Sequence, residues 1–230
     1  MRRHVCCRCP TTPRPCSNAS RSASARRAGP HGAAVVRKPY GYNLNCEQLR
    51  PGVVPQAAAA VANAQLLGVN PSALAATCVV ESGCQNVSGS GTVAGAFQMT
   101  ASTYTAMINA AVAQNPSLAS QIVPGLAGQM DPATESIAAS EYLLQANQYL
   151  QGQGIANPTV LDVRSYYNFG PSAGAAIANA TDGQTMASLL ANLSPSQLTA
   201  NGITSGETVG QWRASVAAKI GNAANQSVLT

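Results

Sequence analysis

Charge is what this chain has least of. Asp, Glu, Lys and Arg make up 9% of its 230 residues, and they are unevenly spread. Residues 1–50 hold ten of the thirteen basic residues and one acid, Glu47. The remainder holds Arg164, Arg213 and Lys219 against seven acids. The head is therefore +9 and the rest −4, which recovers the total of +5. The basic balance belongs to the head alone, so nucleic acid is not expected as a partner of the folded part. A low-charge surface rich in Ala, Asn, Gln, Ser and Thr suits a neutral, hydroxyl-rich ligand better than a polyanion. No run of 18 apolar residues occurs, which excludes a transmembrane segment. Residues 1–39 lack apolar periodicity and are expected to form a disordered basic tail. They also lack the apolar stretch of a signal peptide, so Arg2-Arg3 is not a usable twin-arginine signal. A transit peptide, or a start codon assigned upstream of the true one, fits the head equally. No internal repeat is present.

Metal-ligand spacing is also missing. Cys6, Cys7, Cys9 and Cys16 crowd together, but only His4 and His31 could complete a site, and neither sits at finger spacing. No metal or cofactor is expected. Cys46, Cys78 and Cys84 belong to the part expected to fold, residues 40–230, long enough for one domain.

What is there centres on Asn70 to Thr100. Asn70 can cap a helix and Pro71 suits its first position. Leu74, Cys78 and Glu81 share one face by their spacing. Gly83 can take the left-handed conformation that ends the helix. Glu81 thus falls in the last turn of an apolar helix. The negative helix end and the apolar neighbours both disfavour an ionised acid there. A carboxyl that keeps its proton near neutrality is what a general acid needs.

The same Pro device predicts helix starts at Asp131-Pro132, Asn157-Pro158 and Ser194-Pro195. Further helices are expected over 54–67, 101–114, 116–123, 132–150, 158–167, 172–179, 184–193 and 206–220. Only Asn86 to Gln98, rich in Gly and Ser, breaks the pattern and reads as a loop or small hairpin. The fold class is mainly α, with a short β or loop insert after the Glu81 helix. Asp162 and Glu141 read as helix-surface charges. Trp212 reads as core, with a sugar-stacking platform as the other role.

At this point the sequence resembles the soluble lytic transglycosylases, a lysozyme-like family related to goose-type lysozyme. The likeness covers about residues 55–180. It rests on Glu81-Ser82-Gly83, on Gly95-Ala96-Phe97-Gln98-Met99, and on Tyr166-Tyr167-Asn168-Phe169-Gly170. Asp131-Pro132 with Tyr142-Leu143 resembles the helix that precedes the third block. Phe97 stands where Met is usual. Residues 100–130 form a longer link than is typical. Tyr166 and Phe169 replace small residues and would narrow the site. The resemblance implies Glu81 as catalytic acid and base, with Gln98, Met99, Tyr167 and Asn168 at the ligand. Gln98 would hold an N-acetyl or hydroxyl group through both faces of its amide. Tyr167 would hydrogen-bond Glu81 or the substrate, and Asn168 would support the loop. Ser82, and Ser90 or Ser88, could reach sugar hydroxyls. Ser82 reads equally as a helix cap, Gln98 as a turn-forming amide, and Tyr167 as a core aromatic.

Most glycosidases need two carboxylates, yet residues 85–100 contain no acid. The nearest others in sequence are Glu47 and Asp131. One acid suffices if an N-acetylated sugar supplies the second group and its own C6 hydroxyl closes a 1,6-anhydro ring. The expectation is therefore a monomeric transglycosylase on peptidoglycan strands, in the periplasm or cell envelope. Its work there could be wall turnover, phage entry, or opening the wall for a secretion or conjugation machine. A muramidase or chitin-active hydrolase and a non-catalytic wall-binding scaffold are the alternatives. Outside the reducing cytosol a disulfide is allowed. The helix end brings Cys78 and Cys84 together, while Cys46 with either of them is the competing bridge.

Overall fold

The structure, a computed structural model, describes residues 53–230, with side chains from residue 58. The expectations for the basic tail, for the cysteines and histidines within it, and for Cys46 and Glu47 lie outside the described residues. The described chain is mainly helical. Its order is α1 (Val53–Leu66), α2 (Pro71–Ser82), β1 (Val87–Ser88), β2 (Val93–Gly95), β3 (Met99–Thr100), α3 (Ala101–Gln114), α4 (Pro132–Gly152), α5 (Val160–Phe169), α6 (Pro171–Asn179), α7 (Met186–Leu189), α8 (Pro195–Ala200) and α9 (Val209–Ile220). Two 3-10 segments, Pro116–Gln121 and Gly125–Met130, link α3 to α4. Among the described residues no helix is long and apolar enough to cross a membrane.

Local chemistry explains most boundaries. Asn70 caps α2 by accepting from the Ser72 N–H, and Asp131 caps α4 by accepting from the Thr134 N–H. Ser194 caps α8 in a reciprocal capping box with Gln197. The expected start at Asn157-Pro158 is a correction. Thr159 caps α5 instead, because its hydroxyl and the Asp162 carboxylate exchange bonds with each other's backbone. That box satisfies two orphan N–H groups, whereas Asn157 would satisfy one. Helix α7 is far shorter than the expected 184–193. Helix α9 starts three residues later than expected, at a third box formed by Thr208 and Gln211.

The Gly- and Ser-rich insert is a three-stranded antiparallel sheet of order β1-β2-β3. Val87 pairs with Gly95, and Ala94 pairs with both Ser88 and Met99. Buried Gln129, from the second 3-10 segment, donates to the Met99 and Thr92 carbonyls at 2.6 and 3.0 Å. The long link between α3 and α4 thus backs the sheet.

Apolar side chains bury in two clusters. One joins α1 to α6 and the sheet around Leu74, Phe97, Ile137 and Leu143. The other packs α6 to α9 around Ile177, Met186, Leu190 and Trp212. Trp212 is therefore core, and it also lines the polar cavity that holds Glu81. Tyr166 lies in the first cluster, edge-on to Tyr142 and Tyr149 at 5.4 and 5.6 Å, and Phe169 packs on Trp212 at 5.8 Å. Their bulk goes into the core. Glu141 is a further correction, being fully buried. Gln114 and Gln145 donate to its Oε1 at 2.8 and 2.6 Å. Two amides, from α3 and α4, satisfy that oxygen, while the buried Oε2 has no hydrogen-bond partner among the described residues.

The residues after α9 return across the domain. The Asn70 N–H donates to the Val228 carbonyl at 2.8 Å, and the Val160 N–H to the Gln226 carbonyl at 3.0 Å. This strap ties the beginnings of α2 and α5 together.

Candidate active site

Helix α2 ends as its sequence dictates. Gly83 is left-handed at φ 66°, and Cys84 follows at φ 57°. A second left-handed residue that is not glycine is strained. It is held by the Cys84 N–H bond to the Cys78 carbonyl at 3.1 Å and by the disulfide that joins Cys78 to Cys84. Their Cα atoms are 4.8 Å apart. The helix end that carries Glu81 is thus locked from both sides.

Glu81 is partly buried, its side chain 15% exposed. It lines a polar cavity of about 300 Å³ with Arg164, Asn168, Asn201, Ser215 and Lys219. Burial raises its proton affinity, and the Arg164 guanidinium opposes that through charge and a hydrogen bond. Arg164 Nη1 bonds Glu81 Oε1, and Nη2 donates to Asn168 Oδ1 at 2.7 Å. The guanidinium carbon lies 5.4 Å from the Tyr167 ring centroid. A larger groove of about 390 Å³ runs between α1, α2 and the sheet. Its walls, Leu74, Phe97 and similar residues, include no ionisable side chain, whereas the polar cavity is lined by Glu81, Arg164, Glu207 and Lys219.

The other expected site residues divide by what their polar atoms already do. Tyr167 donates its hydroxyl to the Phe97 carbonyl at 2.8 Å, rather than to Glu81. Burial holds its phenol well above its ordinary range, and the Glu81 charge adds to that. Gln98 sits at φ 49° and donates its amide to the Val87 and Gly95 carbonyls at 3.0 and 2.7 Å. Both N–H groups are spent on the sheet, so only its Oε1 could meet a ligand. Ser82 donates to the Ala96 carbonyl at 2.7 Å and accepts from the Gln85 N–H at 2.9 Å. It stitches α2 to the sheet. Met99 is 3% exposed and belongs to the core. Ser88 and Ser90 are exposed on β1 and the β1–β2 turn. Asn168 orients Arg164 and also lines the cavity.

Asn201, Glu207, Ser215 and Lys219, which also line the cavity, carry no motif in the sequence, and neither do Arg164 and Glu135. Arg164 had a signal, being the one basic residue between positions 51 and 212 and lying four residues before Asn168. Glu135 had a fainter one, an acid within an otherwise small and apolar stretch, 132–140. Glu135 is a second acid behind the insert, but it does not line the cavity that Glu81 lines. Glu135 is fully buried, accepting the Ala96 and Phe97 N–H groups at 2.7 and 3.0 Å. A Cβ on Gly95, at φ 87°, would lie 2.2 Å from its Oε1, so only glycine permits this approach. Burial lifts the Glu135 carboxyl to about 7, against the two N–H bonds and with help from the Glu81 charge.

No protein-family model and no curated protein sequence matches this chain. Among the described residues no cluster of His, Cys, Asp or Glu could hold a metal ion.

Proposed function

We propose that the chain is a lytic transglycosylase. It would cleave the β-1,4 bond between N-acetylmuramic acid and N-acetylglucosamine in peptidoglycan and leave a 1,6-anhydro end. One observation carries the reading: Glu81 is a half-buried acid, its proton affinity raised by burial, facing a polar cavity of about 300 Å³. The motif resemblance to lytic transglycosylases supports it, as does Asn168 lining the same cavity as Glu81.

The chemistry balances without water. Glu81 gives its proton to the glycosidic oxygen, and the C1–O bond breaks with its electron pair going to that oxygen. The 2-acetamido carbonyl stabilises the developing cation. The C6 hydroxyl oxygen then bonds to C1, and its proton returns to the Glu81 carboxylate. The amides of Asn168 and Asn201 and the Ser215 hydroxyl offer partners for N-acetyl and hydroxyl groups. A hydrolase would need a second carboxylate beside a water. Glu135 does not fit that role, because both its oxygens hold main-chain N–H groups inside the core, and Glu207, which does line the cavity, has its Oε2 occupied by the Thr204 N–H and hydroxyl. The single-acid route therefore stays ahead.

The Cys78–Cys84 bridge suits a periplasmic or cell-envelope location. Wall turnover, or opening the wall for a secretion or conjugation machine, would use the same reaction. The test is mass spectrometry of fragments released from purified sacculi. Anhydro ends, one water lighter than hydrolytic ends, are expected. Glu81→Gln should keep the fold and cost ~100-fold or more in release. Clearing by that variant near the wild-type rate would sink the assignment.

A further inference from the structure

The Glu81–Arg164 pair is built more carefully than a chance ion pair. Arg164 is 7% exposed, and three contacts fix its plane: Glu81 at one nitrogen, Asn168 at the other, and the Tyr167 ring against its face. Only one Glu81 oxygen is taken. Oε2 has no hydrogen-bond partner among the described residues, while Glu81 lines the cavity. We propose that Arg164 is a positioning residue, which grips Glu81 by Oε1 and thereby leaves Oε2 as the oxygen that exchanges a proton with the ligand. The proposal rests on Glu81 being the catalytic acid of the reading above.

The physical argument is geometric. A carboxyl held at one oxygen by a planar, anchored donor cannot swing freely about its terminal torsion. A lysine could supply the charge but not the fork that meets Glu81 and Asn168 together. The cation also favours the carboxylate that must take the C6 hydroxyl proton in the second step. The charged and titratable groups facing Glu81 are Arg164 and Tyr167 of α5, Glu135 and Tyr142 of α4, and Glu207 and Lys219 across the cavity. Arg164 is the cation in direct contact.

The test uses the full chain with Arg164→Met, Arg164→Lys and Asn168→Leu. In Arg164→Met the burial of Glu81 is no longer opposed. The alkaline limb of the pH–rate profile, where the acid loses its proton, should move to higher pH. The kcat should fall about 10- to 100-fold with KM little changed, because aim is lost rather than affinity. Arg164→Lys should bring the limb back without restoring kcat. Asn168→Leu, which frees one end of the fork, should move both in the same direction by less, and it decides the matter if Arg164→Met does not fold. Carbon-13 NMR of the Glu81 carboxyl follows its titration without any need for turnover. Titration and kcat equal to wild type in Arg164→Met and Asn168→Leu, per folded molecule, would overturn the proposal. If instead Glu81→Gln still releases anhydro fragments, the functional reading fails, whatever the NMR titration shows.

Discussion

At the scale of single residues the site is a short relay of buried polar contacts. Glu135 holds the Ala96 and Phe97 N–H groups, the carbonyls of the same two residues receive Ser82 and Tyr167, and Tyr167 flanks the arginine that grips Glu81. The Glu135 carboxyl makes a testable contribution to stability. Its folded value is raised to about 7 from an ordinary 4.5, so the folded state binds the extra proton between those values. Stability from this group is therefore fullest at low pH and falls as pH rises from about 4.5 to about 7. The whole step is worth roughly 3 kcal/mol at 1.4 kcal/mol per unit. Glu135→Gln should flatten that part of the curve when urea unfolding is followed from pH 4.5 to 7.5. An unchanged slope would remove Glu135 as its cause. Glu81 was legible in sequence because a helix end, a glycine and a motif converge on it. Glu135 was not, because its partners Ala96 and Phe97 are main-chain groups nearly forty residues away, and no side-chain pattern records them.

At the scale of elements, caps and turn residues were the readable part. Asn70, Asp131, Ser194 and Gly83 mark ends whose chemistry is local, and the helices they bound form where expected. The α5 start was misread because a Pro after Asn is a weaker device than the box between Thr159 and Asp162 two residues on. Residues 116–130 were read only in part, since 3-10 turns carry little periodicity of their own. The sheet shows how an element borrows its shape. Strands of two or three residues have little stability alone, and Gln129, Glu135 and Ser82 fasten them from other elements. The α2 terminus is fastened by the Cys78–Cys84 bridge, which closes a six-residue separation. The chain-entropy model gives a loop this short about 2 kcal/mol. The double variant Cys78→Ala, Cys84→Ala should lose that much in denaturant unfolding. It should also lose activity at temperatures where it is still folded, because left-handed Cys84 no longer has its tether. Equal stability with and without reductant would show that the backbone turn alone fixes the helix end.

At the scale of the whole molecule, Glu81 and Arg164 meet because two helices with no sequence proximity are held in register. Helices α2 and α5 are clasped at their starts by the strap after α9. The Asn70 and Thr230 N–H groups bond the Val228 and Gly68 carbonyls at 2.8 and 3.1 Å, and the Val160 and Leu161 N–H groups bond the Gln226 and Ala224 carbonyls at 3.0 and 3.1 Å. Val228 is fully buried and Ala224 nearly so. Nothing local in residues 224–230 announces this role: they carry no cap, periodicity or motif. Deleting them should remove four main-chain bonds of about 1 kcal/mol each and roughly 2 kcal/mol of Val228 burial. Allowing for partial relaxation, a loss of about 4 kcal/mol would lower Tm by about 10 °C for a domain of this size. Val228→Ala, which keeps every main-chain bond, should cost only about 1 to 2 kcal/mol. The decisive comparison is activity at 25 °C, where both variants remain folded by circular dichroism. The truncated chain should lose turnover out of proportion to its folded fraction, because freeing the start of α5 lets Arg164 drift from Glu81. Val228→Ala should retain turnover. Equal specific activity in the two variants would mean that the helix packing, and not the strap, sets the distance between the acid and its arginine.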